Sequence, residues 1–340
     1  MDIIPYSIPL TKALKTSAGT IENREGFLVR IDALGHVGFG EAAPMQPFSV
    51  EGLSDCERDL GRGLTKIREV GPGEALSVLQ SDLCSSARCG LEVALLDWMA
   101  RQADAPLSFL LGGEGFDMLP VSALVATPED GVEAVKRGHR LLKLKVGMLP
   151  LQEEVERLEA FLAAQELPVL LRLDANGAFT LKQAEAFLEA TDHLPVESVE
   201  DPLALSELHH LKALHRFQVG LGVDEALRHP EALEEIFSSR SADYLVLKPM
   251  WCGGFLQAHA IALSAAQQGV GVALSTALDG AIGRAACIQL AASLPSEAIW
   301  PSGIDTGNWL SSDHGELKLE IHEGHLVLNQ LAGLGVGGLH

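Results

Sequence analysis

The sequence predicts an α/β protein, a (β/α)7β barrel with an α+β capping domain built from the N-terminal region and the C-terminal tail. Two observations carry this reading. From residue 121 onward, short apolar runs alternate with helical patterns, and five of those runs end in one charged residue: Lys145, Asp174, Glu200, Asp224 and Lys248, at intervals of 29, 26, 24 and 24 residues. That spacing is about one strand, its crossover helix and two loops. The first 118 residues have a different texture, in which alternating strand patterns precede helices. At 340 residues the chain is long enough for one barrel and a smaller second domain.

In chain order, 3–10, 25–33 and 37–41 alternate as strands, with Gly35-His36 as a turn signal, and predict an antiparallel meander. Helices are expected over 53–69 and 87–102, the second with Leu91, Ala94, Leu95, Trp98 and Met99 on one stripe before Gly112-Gly113 and Pro120. The capping domain is therefore placed at 1–118. Barrel strands are expected at 121–125, 141–146, 169–174, 196–200, 219–223, 243–247, 270–275 and 298–302. Their helices are expected at 129–140, 151–166, 180–192, 204–215, 229–239, 253–268 and 280–293. Eight parallel strands alternating with helices close most readily into a barrel, here at 119–310. The alternation at 316–328 around Glu323-Gly324 reads as a hairpin, and 311–340 is expected to return to the capping domain.

Composition narrows the function. Lys plus Arg total 25 against 46 Asp plus Glu, a net charge of -21. This repels polyanions, so neither nucleic acid nor an anionic membrane is expected as a partner. No run reaches the ~18 apolar residues of a membrane span, and residues 1–15 have no basic segment leading into an apolar core. A cytoplasmic location is expected. The five cysteines form no C-x-x-C pair and read as free thiols. The expected partner is a small-molecule carboxylate substrate, with oligomeric state open.

In a barrel, the carboxyl ends of the strands carry the chemistry. Asp174, Glu200 and Asp224 end three consecutive strands, so their carboxylates converge, and their repulsion calls for a cation. All-oxygen ligands suit Mg²⁺. Lys145 and Lys248 end strands four apart in a ring of eight and face each other across that site. Taken singly, each residue has a plainer reading, since an Asp at a strand end is often a turn or helix cap. Asp201 beside Pro202 fits that reading, and Asn176 and Glu225 fit either one. The five charges together, all at the same end of consecutive strands, have no such structural reason.

These residues resemble the enolase superfamily in its muconate-lactonising subgroup. The K-x-K around Lys145, D-x-N at Asp174, E-D-P at Glu200, D-E at Asp224 and K-P at Lys248 match it in order and spacing. Gly40-Glu41-Ala42-Ala43-Pro44, Ala94-Leu95-Leu96-Asp97 and Leu331-Ala332-Gly333-Leu334-Gly335-Val336 extend the match over nearly the whole chain. The resemblance implies that Asp174, Glu200 and Asp224 bind Mg²⁺ and that Lys145 and Lys248 are the acid/base pair. Removing a proton alpha to a carboxylate builds an enediolate, whose charge a divalent cation takes up. Lys143, two residues before Lys145, is expected to lower the pKa of that lysine by its charge.

Within the subgroup the chain looks most like the o-succinylbenzoate synthases, carbon-oxygen hydro-lyases of menaquinone biosynthesis. That likeness rests on chain length, on 171–176 and on 275–283. It implies syn dehydration of 2-succinyl-6-hydroxy-2,4-cyclohexadiene-1-carboxylate. Ser275 and Thr276 would bind a substrate carboxylate, and the backbone N–H groups at Gly253 and Gly254 the succinyl carboxylate. A loop at 16–24 is expected to close over the ligand. Dipeptide epimerases and muconate cycloisomerases share the frame. The epimerases typically carry Asp-x-Asp after strand eight, where this chain has Gly303-Ile304-Asp305. A scaffold without catalysis would be expected to lose some of the five charges, and none is lost.

Overall fold

The fold is taken from a computed structural model, which describes residues 1–16, 19–79, 82–115 and 117–339. The capping domain begins with three antiparallel strands, β1 (Asp2–Thr16), β2 (Gly19–Ala33) and β3 (His36–Ala42). Helix α1 (Leu53–Val70), the short α2 (Pro72–Ala75), α3 (Ser85–Gln102) and the short α4 (Leu107–Leu110) follow. Alternation along β2 decides what packs where. Phe27, Val29 and Ile31 face Leu60, Leu64, Ile67, Leu91 and Leu95 of α1 and α3, whereas Leu28 and Phe39 join the core shared with the barrel. Helix α3 is buried on nearly every side rather than along one stripe, because it is sandwiched between the cap sheet and the barrel. β3 approaches it so closely that a Cβ at Gly40 would lie 1.9 Å from the Gly90 carbonyl oxygen.

The expected loop at 16–24 includes Ser17 and Ala18, which lie outside the described residues. The rest of it is not a loop: 19–24 belong to β2, and Arg24 is buried.

The second half opens with β4 (Met118–Pro120) and β5 (Ala123–Leu124), followed by α5 (Pro128–Lys136), β6 (Leu141–Lys145), α6 (Leu151–Ala163), β7 (Leu170–Asp174), α7 (Leu181–Thr191) and β8 (Val196–Glu200). Then come β9 (Gly220–Val223), α8 (Pro230–Ser239), β10 (Tyr244–Leu247), α9 (Phe255–Gln267), β11 (Gly271–Leu274) and α10 (Ala281–Ala291). Strands β5 to β11 form one parallel sheet in sequence order. The expected eighth strand is not a regular strand. Its residues close the ring by isolated parallel bridges, Ile299 to Val272, Ser302 to Val121 and Gly303 to Ser275. Pro301 has no N–H to donate, which interrupts a regular ladder there. The expected helix at 204–215 is instead a 3-10 helix, Leu205–Phe217. Its buried residues, Leu208, Leu211 and Leu214, recur every third position, the period of that tighter helix.

The hairpin of β12 (Ile321–His322) and β13 (His325–Val327) turns at Glu323 and Gly324, both with positive φ. It pairs with β4 rather than with the cap sheet, while the chain behind it meets α3, where Leu334 N–H donates to Asp97 Oδ1 at 2.8 Å. Among the described residues no helix is long and apolar enough to cross a membrane.

Two buried charge clusters join cap and barrel beside the loop after β11. Arg24 pairs with Asp279 at 3.3 Å and donates to the carbonyls of Pro44, at 3.0 Å, and Ala43. Glu41 accepts from Tyr6 Oη at 2.5 Å and from the N–H groups of Gly280 and Gly283 at 2.9 and 2.8 Å. His314 Nε2 lies 3.4 Å from Glu41, an ion pair without hydrogen-bond alignment. Burial opposes charge on both partners, yet the contacts of His314, Tyr6 and Gly280 hold Glu41 at about 2, and Glu41 holds His314 above its ordinary 6.5.

A raised folded-state histidine stabilises below 6.5, and its contribution is lost as pH climbs through the folded value. The melting temperature should therefore fall from pH 6.5 upward. His314→Gln should flatten that slope, and an unchanged slope in a thermal-melt series would contradict the pairing.

Candidate active site

Parallel register puts the strand-end charges in one row. Lys145 is the Cα partner of Asp174, and Asp174 of Glu200. Glu200 pairs with Gly222, and Asp224, two residues on, shares that strand face. All three carboxylates are buried, at 3%, 1% and 6% exposure for Asp174, Glu200 and Asp224. Asp201, in a left-handed turn with φ 43°, accepts from the N–H groups of Asp224 and Glu225 at 3.0 and 2.8 Å. It thus fixes the chain that presents Asp224.

The lysines oppose these acids. Lys143 Nζ reaches Glu200 Oε1 at 2.6 Å and Asp174 Oδ2 at 3.0 Å. Its ammonium is committed to these carboxylates, whose charges raise its pKa against the effect of burial. This places it as a holder of the acids more than as a neighbour acting on Lys145. Lys145, half exposed to the cavity, donates to Asn176 and lies 3.8 Å from Asp174. Lys248 pairs with Asp224 and lies 4.7 Å from the centre of the Trp251 ring. Burial would lower the Lys248 pKa, but the Asp224 charge outweighs it and raises it. Burial likewise opposes the charge of Asp174, which Lys143 holds below the ordinary value, whereas Glu200 is pushed up to about 7 by burial and by the charges of Asp174 and Asp224.

Lys143, Lys145, Asp174, Asp224 and Lys248 line a cavity of about 140 Å³ together with Ser275, Thr276 and the cap residues Met45 and Phe48, whereas Glu200 is buried against Lys143 and is not part of the lining. The all-oxygen donor set suits a hard divalent cation. Among the described residues no three His, Cys, Asp or Glu groups stand in metal-ligating geometry, and the ammonium groups of Lys143 and Lys248 lie against the acids.

Gly253 and Gly254 fall outside this cavity. Gly254 packs on Arg88 and Glu92, and the N–H of Leu256 at the start of α9 donates to Glu92 Oε2 at 2.9 Å. A carboxylate of the protein itself thus takes up the helix terminus expected to receive the succinyl group.

Residues 128–337 match the family described as Enolase C-terminal domain-like, and residues 1–98 match that described as MenC, N-terminal domain. The chain belongs to the enolase superfamily. Superfamily members similar to it include an L-Ala-D/L-Glu epimerase of Clostridium acetobutylicum, 27% identical, with 98% of this chain and 97% of that protein aligned. A chloromuconate cycloisomerase of Cupriavidus pinatubonensis is 34% identical over 74% of this chain and 69% of its own. Among solved structures, a dipeptide epimerase from Enterococcus faecalis complexed with Mg and the dipeptide L-Leu-L-Tyr superposes with a TM-score of 0.88. Its identity is 25%, covering 99% of this chain and 98% of that one.

Sequence reasoning missed Trp251 and Phe48, which stack with ring centroids 5.8 Å apart at the cavity edge. An aromatic three residues after Lys248 was the available signal; Phe48 had none, because its place depends on how the cap docks. Asp305 also lines the cavity, but it is held by His139 Nε2 at 2.8 Å and Arg137 Nη1 at 3.0 Å.

Proposed function

We propose that the protein is a Mg²⁺-dependent o-succinylbenzoate synthase, with Asp174, Glu200 and Asp224 as ligands and Lys145 as the acid/base. The observation that favours this over dipeptide epimerisation is the strand-eight side of the cavity. A dipeptide's ammonium would need free carboxylate there, but Gly303 presents none, and Asp305 is already paired with Arg137 and His139. The match of residues 1–98 to the MenC N-terminal domain supports the same reading.

A bound divalent cation would supply charge stabilisation at the substrate carboxylate. The chain's residues do the rest. Lys145, next to Asn176 at the cavity, takes the α-proton and returns it to the departing hydroxyl on the same face of the ring. Lys248, kept protonated by Asp224, faces the charge that develops as the proton leaves. Asp174 and Glu200 are drawn together by Lys143, and Ser275 and Thr276 offer hydroxyls to the substrate. Cap residues Met45 and Phe48 cover the cavity and limit water.

Dipeptide epimerisation is the second reading, favoured by the epimerases among the similar proteins. Purified protein with Mg²⁺ should convert 2-succinyl-6-hydroxy-2,4-cyclohexadiene-1-carboxylate to its aromatic product, followed by ultraviolet absorbance. Absence of that product, with turnover of a dipeptide or a muconate, would overturn the proposal.

A further inference from the structure

Strand β8 does not alternate regularly. Val199 is buried in the layer between sheet and helices and Val196 packs against that same layer, yet side chains three apart on a regular strand point to opposite faces. The pairing with β7 shows where the phase changes. Leu171 is the Cα partner of Val196, whereas Arg172 is that of Ser198, so Glu197 is an extra residue, a bulge in a parallel ladder. Unbroken alternation from Val196 would send Glu200 outward to the helices and bring Val199 into the barrel. With the bulge, Ser198 and Glu200 face the interior, and Glu200 comes opposite Asp174.

One side chain grips this bulge from inside the barrel. Arg172, 2% exposed, donates from Nη2 to Glu197 Oε1 at 3.0 Å, from Nε to Ser198 Oγ at 3.2 Å and from Nη1 to the Pro301 carbonyl at 2.8 Å. Its guanidinium lies 4.8 Å from the centre of the Tyr244 ring, whose hydroxyl is 3.0 Å from the same Ser198 Oγ and which stacks on Trp300 with centroids 4.3 Å apart. Glycines make the room: a Cβ at Gly222 would overlap Tyr244, and one at Gly271 would overlap Trp300. A guanidinium stays charged when buried and needs a counterion, which Glu197 supplies.

We infer that Arg172 is a positioning residue of the cation site: by holding Glu197 and Ser198 it fixes the bulge that turns Glu200 toward Asp174. It acts through the backbone of β8, since it does not line the cavity. The inference rests on the reading of Glu200 as a metal ligand and does not depend on which substrate is turned over.

The test titrates Mg²⁺ into the whole protein by calorimetry, with circular dichroism melts establishing that each variant is folded. Arg172→Met should weaken Mg²⁺ binding about ten- to hundredfold, the usual effect of losing a residue that orients a ligand. Arg172→Lys should fall in between, because it restores the charge without the planar fork. Glu197→Ala should act in the same direction, and it decides the matter alone if Arg172→Met does not fold. Phe187→Leu, in the buried layer outside the barrel, should lower the melting temperature and bind Mg²⁺ as the wild type does.

Wild-type affinity in a folded Arg172→Met or Glu197→Ala would overturn the inference while leaving the metal site standing. An equal loss in Phe187→Leu would also overturn it, by showing that general destabilisation is the cause. A wild type that binds no Mg²⁺ would sink the metal reading and the inference together. Arg172-dependent Mg²⁺ binding by a protein that does not dehydrate would uphold the positioning role and sink the reaction assigned to the site.

Discussion

Glu200→Gln should lower turnover by about 10³-fold or more, the equivalent of ~4 kcal/mol of transition-state stabilisation, and leave the barrel folded. The amide keeps the shape of the buried carboxylate, which is 1% exposed, and Lys143 retains Asp174 at 3.0 Å. Repulsion with Asp174 and Asp224, which helps push Glu200 up to about 7, is removed at the same time. The melting temperature should therefore hold while the cation site fails. Asp224→Asn should lose activity as deeply but melt lower, because Lys248 loses the carboxylate it pairs with. Chelation should reproduce the activity loss in the wild type, and added Mg²⁺ should reverse it. A chelator-treated enzyme that keeps full turnover would contradict the account.

The second large effect separates the lysines. In syn dehydration one face of the substrate ring meets both proton abstraction and the departing hydroxyl, so one lysine suffices as base and then acid. Lys145→Ala should abolish proton abstraction, seen as loss of substrate deuterium exchange in D₂O. Lys248→Ala should cost on the order of 3 kcal/mol or more through lost stabilisation of developing charge. It should also leave Asp224 without its ammonium partner. An epimerase needs both lysines as proton carriers on opposite faces, so inversion of configuration dependent on Lys248 would reassign them.

The site's frame was legible because strand period and strand-end charge are local properties. Lys145, Asp174 and Glu200 fall opposite one another once the strands pair in parallel, with no further information needed. Regular helices such as α6, α7 and α10 were legible for the same reason. What escaped depended on contacts between distant segments. Nothing near Gly254 in sequence announces that Glu92, 164 positions before Leu256, takes the N-terminus of α9. The commitment of Lys143 to Glu200 is likewise tertiary, as is the burial of Arg24 against Asp279, 255 positions away. The break in the eighth strand was the exception, since Pro301 stands in the sequence and marks where a ladder cannot run.

The most direct test of the central claim is the fate of a chiral dipeptide incubated with wild-type protein and Mg²⁺ in D₂O, beside the hydroxylated succinyl-cyclohexadiene acid. The account predicts aromatisation of the acid and a dipeptide recovered with its configuration intact and no deuterium at the α-carbon. Racemising exchange of the dipeptide, with the acid left unchanged, would contradict it.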